Sequence, residues 1–246
     1  MPDRVPGLLG RLPAQFPGVL RDLGFYAAGP LPKAPATLPV PVDSDWGMLG
    51  NDRYGDCGFA GFFHGVEADE IVTHEPLATI SDQDVIAAYL KYTGGQDTGV
   101  VLSQFLTYVR QQPTGLLGHK VDAFAPVAVH DVPTLQTAIY LFDFAYTGIA
   151  VTDTMMQAFQ AGQPWTTGLL REGTVEGGHC IPLVGYDEQF VYAVTWGAIQ
   201  AITWNCWHYI SSEAWAVLTG ELVARNGDGR GVNLAALRAD LDKLNA

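Results

Sequence analysis

The stretch Asn51-Asp52-Arg53-Tyr54-Gly55-Asp56-Cys57-Gly58-Phe59-Ala60 sets a cysteine where a loop turns into a helix. Asp56 is a good N-cap, and Cys57 to Val72 contains no proline and spaces Phe59, Phe63, Val66 and Ile71 at three- and four-residue steps. A helix N-terminus carries partial positive charge and unpaired N–H groups, so a thiol in its first turn is expected to ionise more easily and act as a nucleophile. Two things work against this. A carboxylate at Asp56 raises a thiol pKa unless its charge is spent on the cap, and a lone cysteine beside Phe and Ala is commonly plain packing.

A second site answers the first. Glu176-Gly177-Gly178-His179-Cys180-Ile181-Pro182-Leu183-Val184-Gly185-Tyr186-Asp187 puts a histidine at the head of an apolar run, read as a Gly-Gly turn feeding a strand. Gln189 to Thr195 and Ala198 to Cys206, parted by Gly197, are rich in β-branched and aromatic residues and extend this into a small antiparallel sheet. A Cys and a His far apart in sequence, each in a Gly-flanked setting, is what a thiolate–imidazolium pair requires.

Cys57 at a helix start, Asn51 six residues before it, Gly-His179 with Val-Gly-Tyr186, and Thr195-Trp196-Gly197 together resemble papain-type cysteine peptidases. The chain is similar, more narrowly, to papain-like proteins of bacteria and their tailed phages, which share Asn-Asp, Gly-Asp-Cys, Gly-Gly-His and Thr-Trp-Gly motifs. The likeness runs over roughly residues 46 to 246. It implies an α+β fold in which a helical lobe bearing Cys57 packs on an antiparallel sheet lobe bearing His179. It further implies thiol acyl transfer on a peptide or amide bond. Cys57 would attack, His179 would take and return the proton, Asn51 with the Cys57 N–H would receive the oxyanion, and Trp196 would shield the contact that orients the histidine. Gly178 and Trp165 are assigned to the substrate cleft. No metal and no organic cofactor is implied, and the partner would be a peptide or protein substrate.

Two substitutions set the chain apart from the papain pattern. Where an asparagine precedes the Trp-Gly pair, this chain has Val194 and Thr195. Val194 cannot hydrogen-bond through its side chain, so the orienting role falls to Thr195, whose hydroxyl stabilises an imidazolium less than a carboxylate would. Asn51 is one methylene shorter than the usual glutamine. Weak or absent peptidase activity is therefore one expectation, and a virion or other assembly component that keeps the scaffold is the competing class. A thiol transferase or deamidase would use the same dyad on another acceptor.

Composition narrows the rest. The 246 residues, nearly half hydrophobic, suffice for a two-lobed body, and the net charge of −13 argues against nucleic acid or an anionic membrane as partner. No signal-peptide pattern and no bilayer-length apolar run is seen, which leads to an expectation of a cytoplasmic protein, or a virion one if phage-encoded. Three cysteines without a Cys-x-x-Cys pair suggest neither a disulfide framework nor a zinc knuckle.

Nine of the 15 prolines lie in residues 1–45, so this segment reads as an arm: a propeptide over the cleft, or a contact to virion proteins. Residues 46–246 form the papain-like domain, divided into a helical lobe (about 46–118), a sheet lobe (about 119–210) and C-terminal helices (about 211–246). Within it, Ser81 starts a helix carrying Val85 and Tyr89, and Asp97 or Thr98 caps another carrying Val101 to Val109. Lys120 to Val129 and Ala145 to Val151 read as strands around a Pro133 to Phe142 helix. Ser211 to Leu218 is expected to be helical, as is the Leu234, Leu237, Leu241, Leu244 stripe. Asn226-Gly227-Asp228-Gly229 reads as a plain loop without the alternating carboxylates of a calcium site. Of the remaining histidines, His64 stands too far along its helix to activate the thiol, His74, His119 and His130 read as solvated, and His208 as sheet packing. Asn205 is the lower-ranked alternative to Thr195.

Overall fold

Glycines at 58, 61 and 65 make one side of the Cys57 helix bare, and that side decides how closely helix and sheet meet. A Cβ at Gly58 would stand 2.3 Å from a Val100 methyl, one at Gly61 3.1 Å from the Cys180 sulfur, and one at Gly65 2.5 Å from the Phe144 ring. The opposite side carries Phe59, Phe62, Phe63 and Val66 into the helical packing, so this helix is apolar all round and buried. The computed structural model describes residues 4–42, 46–77, 79–226 and 230–245.

In chain order the elements are α1 (Cys57–Thr73), α2 (Asp82–Tyr92), α3 (Leu102–Gln111), β1 (Val121–Pro126), α4 (Val132–Phe142), β2 (Ala145–Thr152), α5 (Asp153–Gln160), α6 (Thr167–Glu172), β3 (Val175–Tyr186), β4 (Phe190–Thr195), β5 (Ala198–Thr203), α7 (Trp204–Ile210), β6 (Ser211–Thr219), α8 (Gly220–Asn226) and α9 (Leu234–Asp242). The six strands form one antiparallel sheet in the order β1-β6-β2-β3-β4-β5, with α1 laid against β2 and β3. This mixture of a helical layer and an antiparallel sheet is a papain-like α+β fold.

Several expectations change. Ser211–Thr219 is a strand, not a helix, and sits inside the sheet between β1 and β2. From Glu213 onward every residue is buried, so the alternation that betrays a half-exposed strand is missing. The C-terminal part is therefore a strand followed by two helices. Gly177 and Gly178 are not a turn: they lie within β3, paired with Val151 and Ala150. The strand expected over Ala198 to Cys206 ends at Thr203, whose hydroxyl caps α7, and His208 is on that helix, exposed and ring-to-ring with His130 at 4.3 Å, rather than in the sheet. Neither Asp97 nor Thr98 caps α3. Asp97 instead accepts from the Gly55 amide and the Tyr89 hydroxyl. Ser81 and Asp84 do meet at the start of α2. Residues 227–229 of the plain loop expected from Asn226 to Gly229 lie outside the described residues.

The N-terminal arm is part of the body. Residues 10–12 lie between Val100 and Gly178: Val100 N–H donates to Gly10 O (2.8 Å), Leu12 N–H to Val100 O (2.9 Å) and Arg11 N–H to Gly178 O (3.0 Å). Further on, Leu20, Leu23 and Tyr26 enter the core, and Leu38 pairs with Tyr186.

Candidate active site

Cys57 opens α1 as expected, but its surroundings do not favour a thiolate. The residue is 1 % exposed, and burial pushes its thiol up to about 11, against an opposing pull from the Cys180 and Gly10 backbone amides. The helix end cannot outweigh the loss of water. Asp56 does not cap through its side chain. Both its carboxyl oxygens are buried without a hydrogen-bond partner, and burial raises its pKa to about 8 against Asn51 and its own amide. Where ionised, that carboxyl adds a smaller upward push on the thiol to the one from burial.

His179 lies mid-strand in β3, 1 % exposed. Its Nε2 is 2.8 Å from Thr195 Oγ1, while Nδ1 is buried without a partner. Burial, then His64 and Arg11, push the imidazole down to about 3. Trp196 covers the contact, stacked on the histidine at 4.7 Å between centroids and 28° between planes. It does so because the β4–β5 connection is a two-residue turn with positive φ at both Trp196 (45°) and Gly197 (72°), the geometry that matches strand twist. A tryptophan in that region is strained, and its stacking on His179 and its edge contact with Phe159 at 5.0 Å hold it there.

Cys57, His179, Asn51, Thr195 and Trp196 line one cavity of 10 Å³, about enough for one water. The remaining sequence candidates distribute differently. Asn51 Nδ2 donates to Leu8 O and Tyr54 O, both at 3.0 Å, so a carbonyl of the arm occupies the amide that the resemblance assigns to an oxyanion. The Gly178 carbonyl receives the Arg11 amide. Trp165 is not in the cleft: it is fully buried, donates to Met155 O, and backs Trp196 edge-on at 6.3 Å. Asn205 lies on α7, lining a separate 640 Å³ cavity with Arg171 and Tyr209.

Sequence reasoning missed three participants. His64 lines the same small cavity, because seven residues, about two helical turns, return it to the face of α1 that carries Cys57, but its Nε2 is taken by the Trp46 and Gly47 carbonyls and burial lowers it to about 4. His119 is buried beside Glu221 rather than solvated. Arg11 reaches from the arm to Glu213. For the arm a signal existed: Gly10 and Gly178 are both bare where they meet their neighbours, a Cβ at Gly10 standing 1.6 Å from Gly55 O and one at Gly178 2.3 Å from Arg11 O. Among the described residues no cluster of His, Cys, Asp and Glu could hold a metal ion, and no helix is long and apolar enough to cross a membrane.

No protein-family profile matches the chain, and no curated protein matches it in sequence. Solved structures do match. Xylellain, a cysteine protease from Xylella fastidiosa, superposes with a TM-score of 0.62 at 13 % identity over 89 % of this chain and 98 % of its own. Digestive procathepsin L 3 of Tenebrio molitor larval midgut gives 0.53 at 14 % identity over 88 % of this chain and 76 % of its own. At these identities the likeness is one of fold.

Proposed function

We propose that this chain is a thiol hydrolase of the cysteine-peptidase type, held in a latent state by residues 7–12 of its own arm. The observation that carries this reading is His179: its Nε2 is held by Thr195 beneath Trp196, its Nδ1 is buried without a partner, and the residue lines the same cavity as Cys57. With Nε2 carrying its hydrogen towards Thr195, Nδ1 is the basic nitrogen. Cys57 Sγ attacks a peptide carbonyl carbon and its proton passes to His179 Nδ1. Asn51 Nδ2 donates to the oxyanion, the C–N bond breaks, and the amine leaves with the proton from His179. Water then opens the thioester with His179 as base, and the acid product departs. The substrate is a peptide or protein.

In the latent state the pair is neutral, thiol and imidazole both, because burial drives their pKa values in opposite directions. The same observation favours the second reading, a papain-like scaffold serving as an assembly or virion component without turnover. The test separates them. Valine at Gly10 cannot coexist with the Gly55 carbonyl in its present place, so Gly10→Val in the full chain displaces the strap. If the hydrolase reading holds, this variant cleaves a casein or peptide substrate and Gly10→Val with Cys57→Ala does not. Equal inactivity of both, with Cys57 unreactive to iodoacetamide, supports the scaffold reading.

A further inference from the structure

Glu213 is fully buried in the middle of β6, and its partner comes from the arm: Arg11 Nη1 lies 3.0 Å from Oε1. Oε2 accepts from the Trp215 indole N–H at 2.9 Å, and a second Arg11 nitrogen points at the Ile149 carbonyl at 3.5 Å. The slot that admits the guanidinium exists because residue 148 has no side chain. A Cβ there would stand 2.6 Å from Arg11 Cδ and 2.8 Å from Glu213 Cγ. A carboxylate buried to this degree is unfavourable without an opposite charge, so the slot is built for a cation.

Arg11 is held as an extended peptide ligand is held. Its N–H donates to Gly178 O, next to His179, and its flanking residues bond both sides of Val100, a strand added at the edge of the cleft. The amide of the preceding residue, Gly10, bears on the Cys57 sulfur. Every one of these main-chain contacts is available to any peptide; only the guanidinium is particular. Leu8 and Leu12 on either side are 43 % and 40 % exposed, whereas the Arg11 side chain is 9 % exposed.

We propose that the Glu213 slot is the specificity subsite of the cleft, and that it selects peptides whose arginine enters where Arg11 now sits, one residue from the group facing Cys57. This rests on the hydrolase reading above. Arginine is favoured over lysine because a planar guanidinium presents separate nitrogens to Glu213 and to the Ile149 carbonyl, whereas an ammonium is one point charge. In the resting chain Arg11 fills the slot intramolecularly, so an arginine peptide must compete with it.

The test compares fluorescein-labelled and fluorogenic peptides that differ at one position, with arginine, citrulline, lysine or leucine, on the full chain carrying Gly10→Val. Arginine should exceed leucine and citrulline in kcat/KM by about tenfold or more, the scale of one charge-assisted hydrogen bond. Glu213→Gln in that background should erase the preference, bringing the arginine peptide down to the level of the citrulline peptide. Leucine or citrulline performing as well as arginine would overturn the proposal and reduce Arg11–Glu213 to a structural staple. Citrulline removes the charge without altering the protein, so the comparison survives if Glu213→Gln does not fold. Wild type should give the same order at lower rates. Binding to a Gly10→Val, Cys57→Ala chain by fluorescence polarisation keeps the two readings apart. Selective arginine binding with no turnover in the Cys57 chain sinks the hydrolase and keeps the subsite, and turnover without arginine preference does the reverse.

Discussion

Two stretches of the same proline-rich arm are attached to the body by opposite means. Residues 7–12 dock through their backbone, with Leu8 N–H on Asn51 O, Leu8 O on Asn51 Nδ2 and the bonds to Val100 and Gly178, and with one deep side chain, Arg11. Residues 20–28 dock through side chains. Leu20, Leu23 and Tyr26 are buried in the core, the Tyr26 hydroxyl donates to Asp240, and Ala28 N–H and Tyr26 O bond to Gly231 and Asn233. A segment bound by groups that all peptides share can be displaced by another peptide. A segment whose leucines and tyrosine complete the core cannot leave without unfolding part of it. The proposed latency and the core packing thus rest on neighbouring parts of one arm.

The sharpest way to break that contrast is Gly10→Val. Four backbone hydrogen bonds of the strap, each contributing about 0.5–1.5 kcal/mol net, are at stake. Its release should raise iodoacetamide labelling of Cys57 by at least about tenfold under native conditions. An unchanged labelling rate would mean that the strap does not guard the thiol. Leu23→Ala should do the converse, lowering stability by about 2–5 kcal/mol through a core cavity while Cys57 stays protected until the chain unfolds. Denaturant titration and labelling in parallel distinguish the two. Thr195→Val, tested in the strap-released chain, removes the acceptor that fixes the imidazole. A loss of about tenfold in kcat with KM nearly constant is expected, and a change confined to KM would assign Thr195 to substrate contact instead.

The smallest effect concerns Asp56. Its folded pKa of about 8 lies above the ordinary 3.8, so the folded state holds a proton that the unfolded state releases. The stability contribution of that proton is complete below the unfolded value and is lost as pH rises through about 8. Asp56→Asn, which keeps the shape and cannot ionise, should gain on wild type progressively between pH 4 and pH 8 in thermal melts. A difference independent of pH would show that Asp56 stays ionised.

What the sequence disclosed and what it hid divide along physical lines. The Cys57 helix and the Thr195-Trp196-Gly197 turn follow from local signals, a helix start without proline and a Trp-Gly dipeptide between two β-rich runs, whereas the pairing of His179 with Thr195 follows from the resemblance to papain-type peptidases. β6 was hidden because burial on both faces removes periodicity, and the Gly177-Gly178 pair was misleading because bare residues mark close approach as readily as a turn. The thiol and imidazole pKa values were out of reach altogether. They depend on burial, which packing between residues far apart in the chain produces.

The bare side of α1 bears on the order in which the molecule assembles. Three interior glycines each cost a helix about 1 kcal/mol relative to alanine, so α1 has little tendency to persist alone. Its closest contacts, Gly61 with Cys180 and Gly65 with Phe144, join distant parts of the chain, and forming them requires β2 and β3 to be in place. The helix that presents Cys57 therefore matures late, after the sheet has paired, and until then Cys57 carries an ordinary, solvent-exposed thiol.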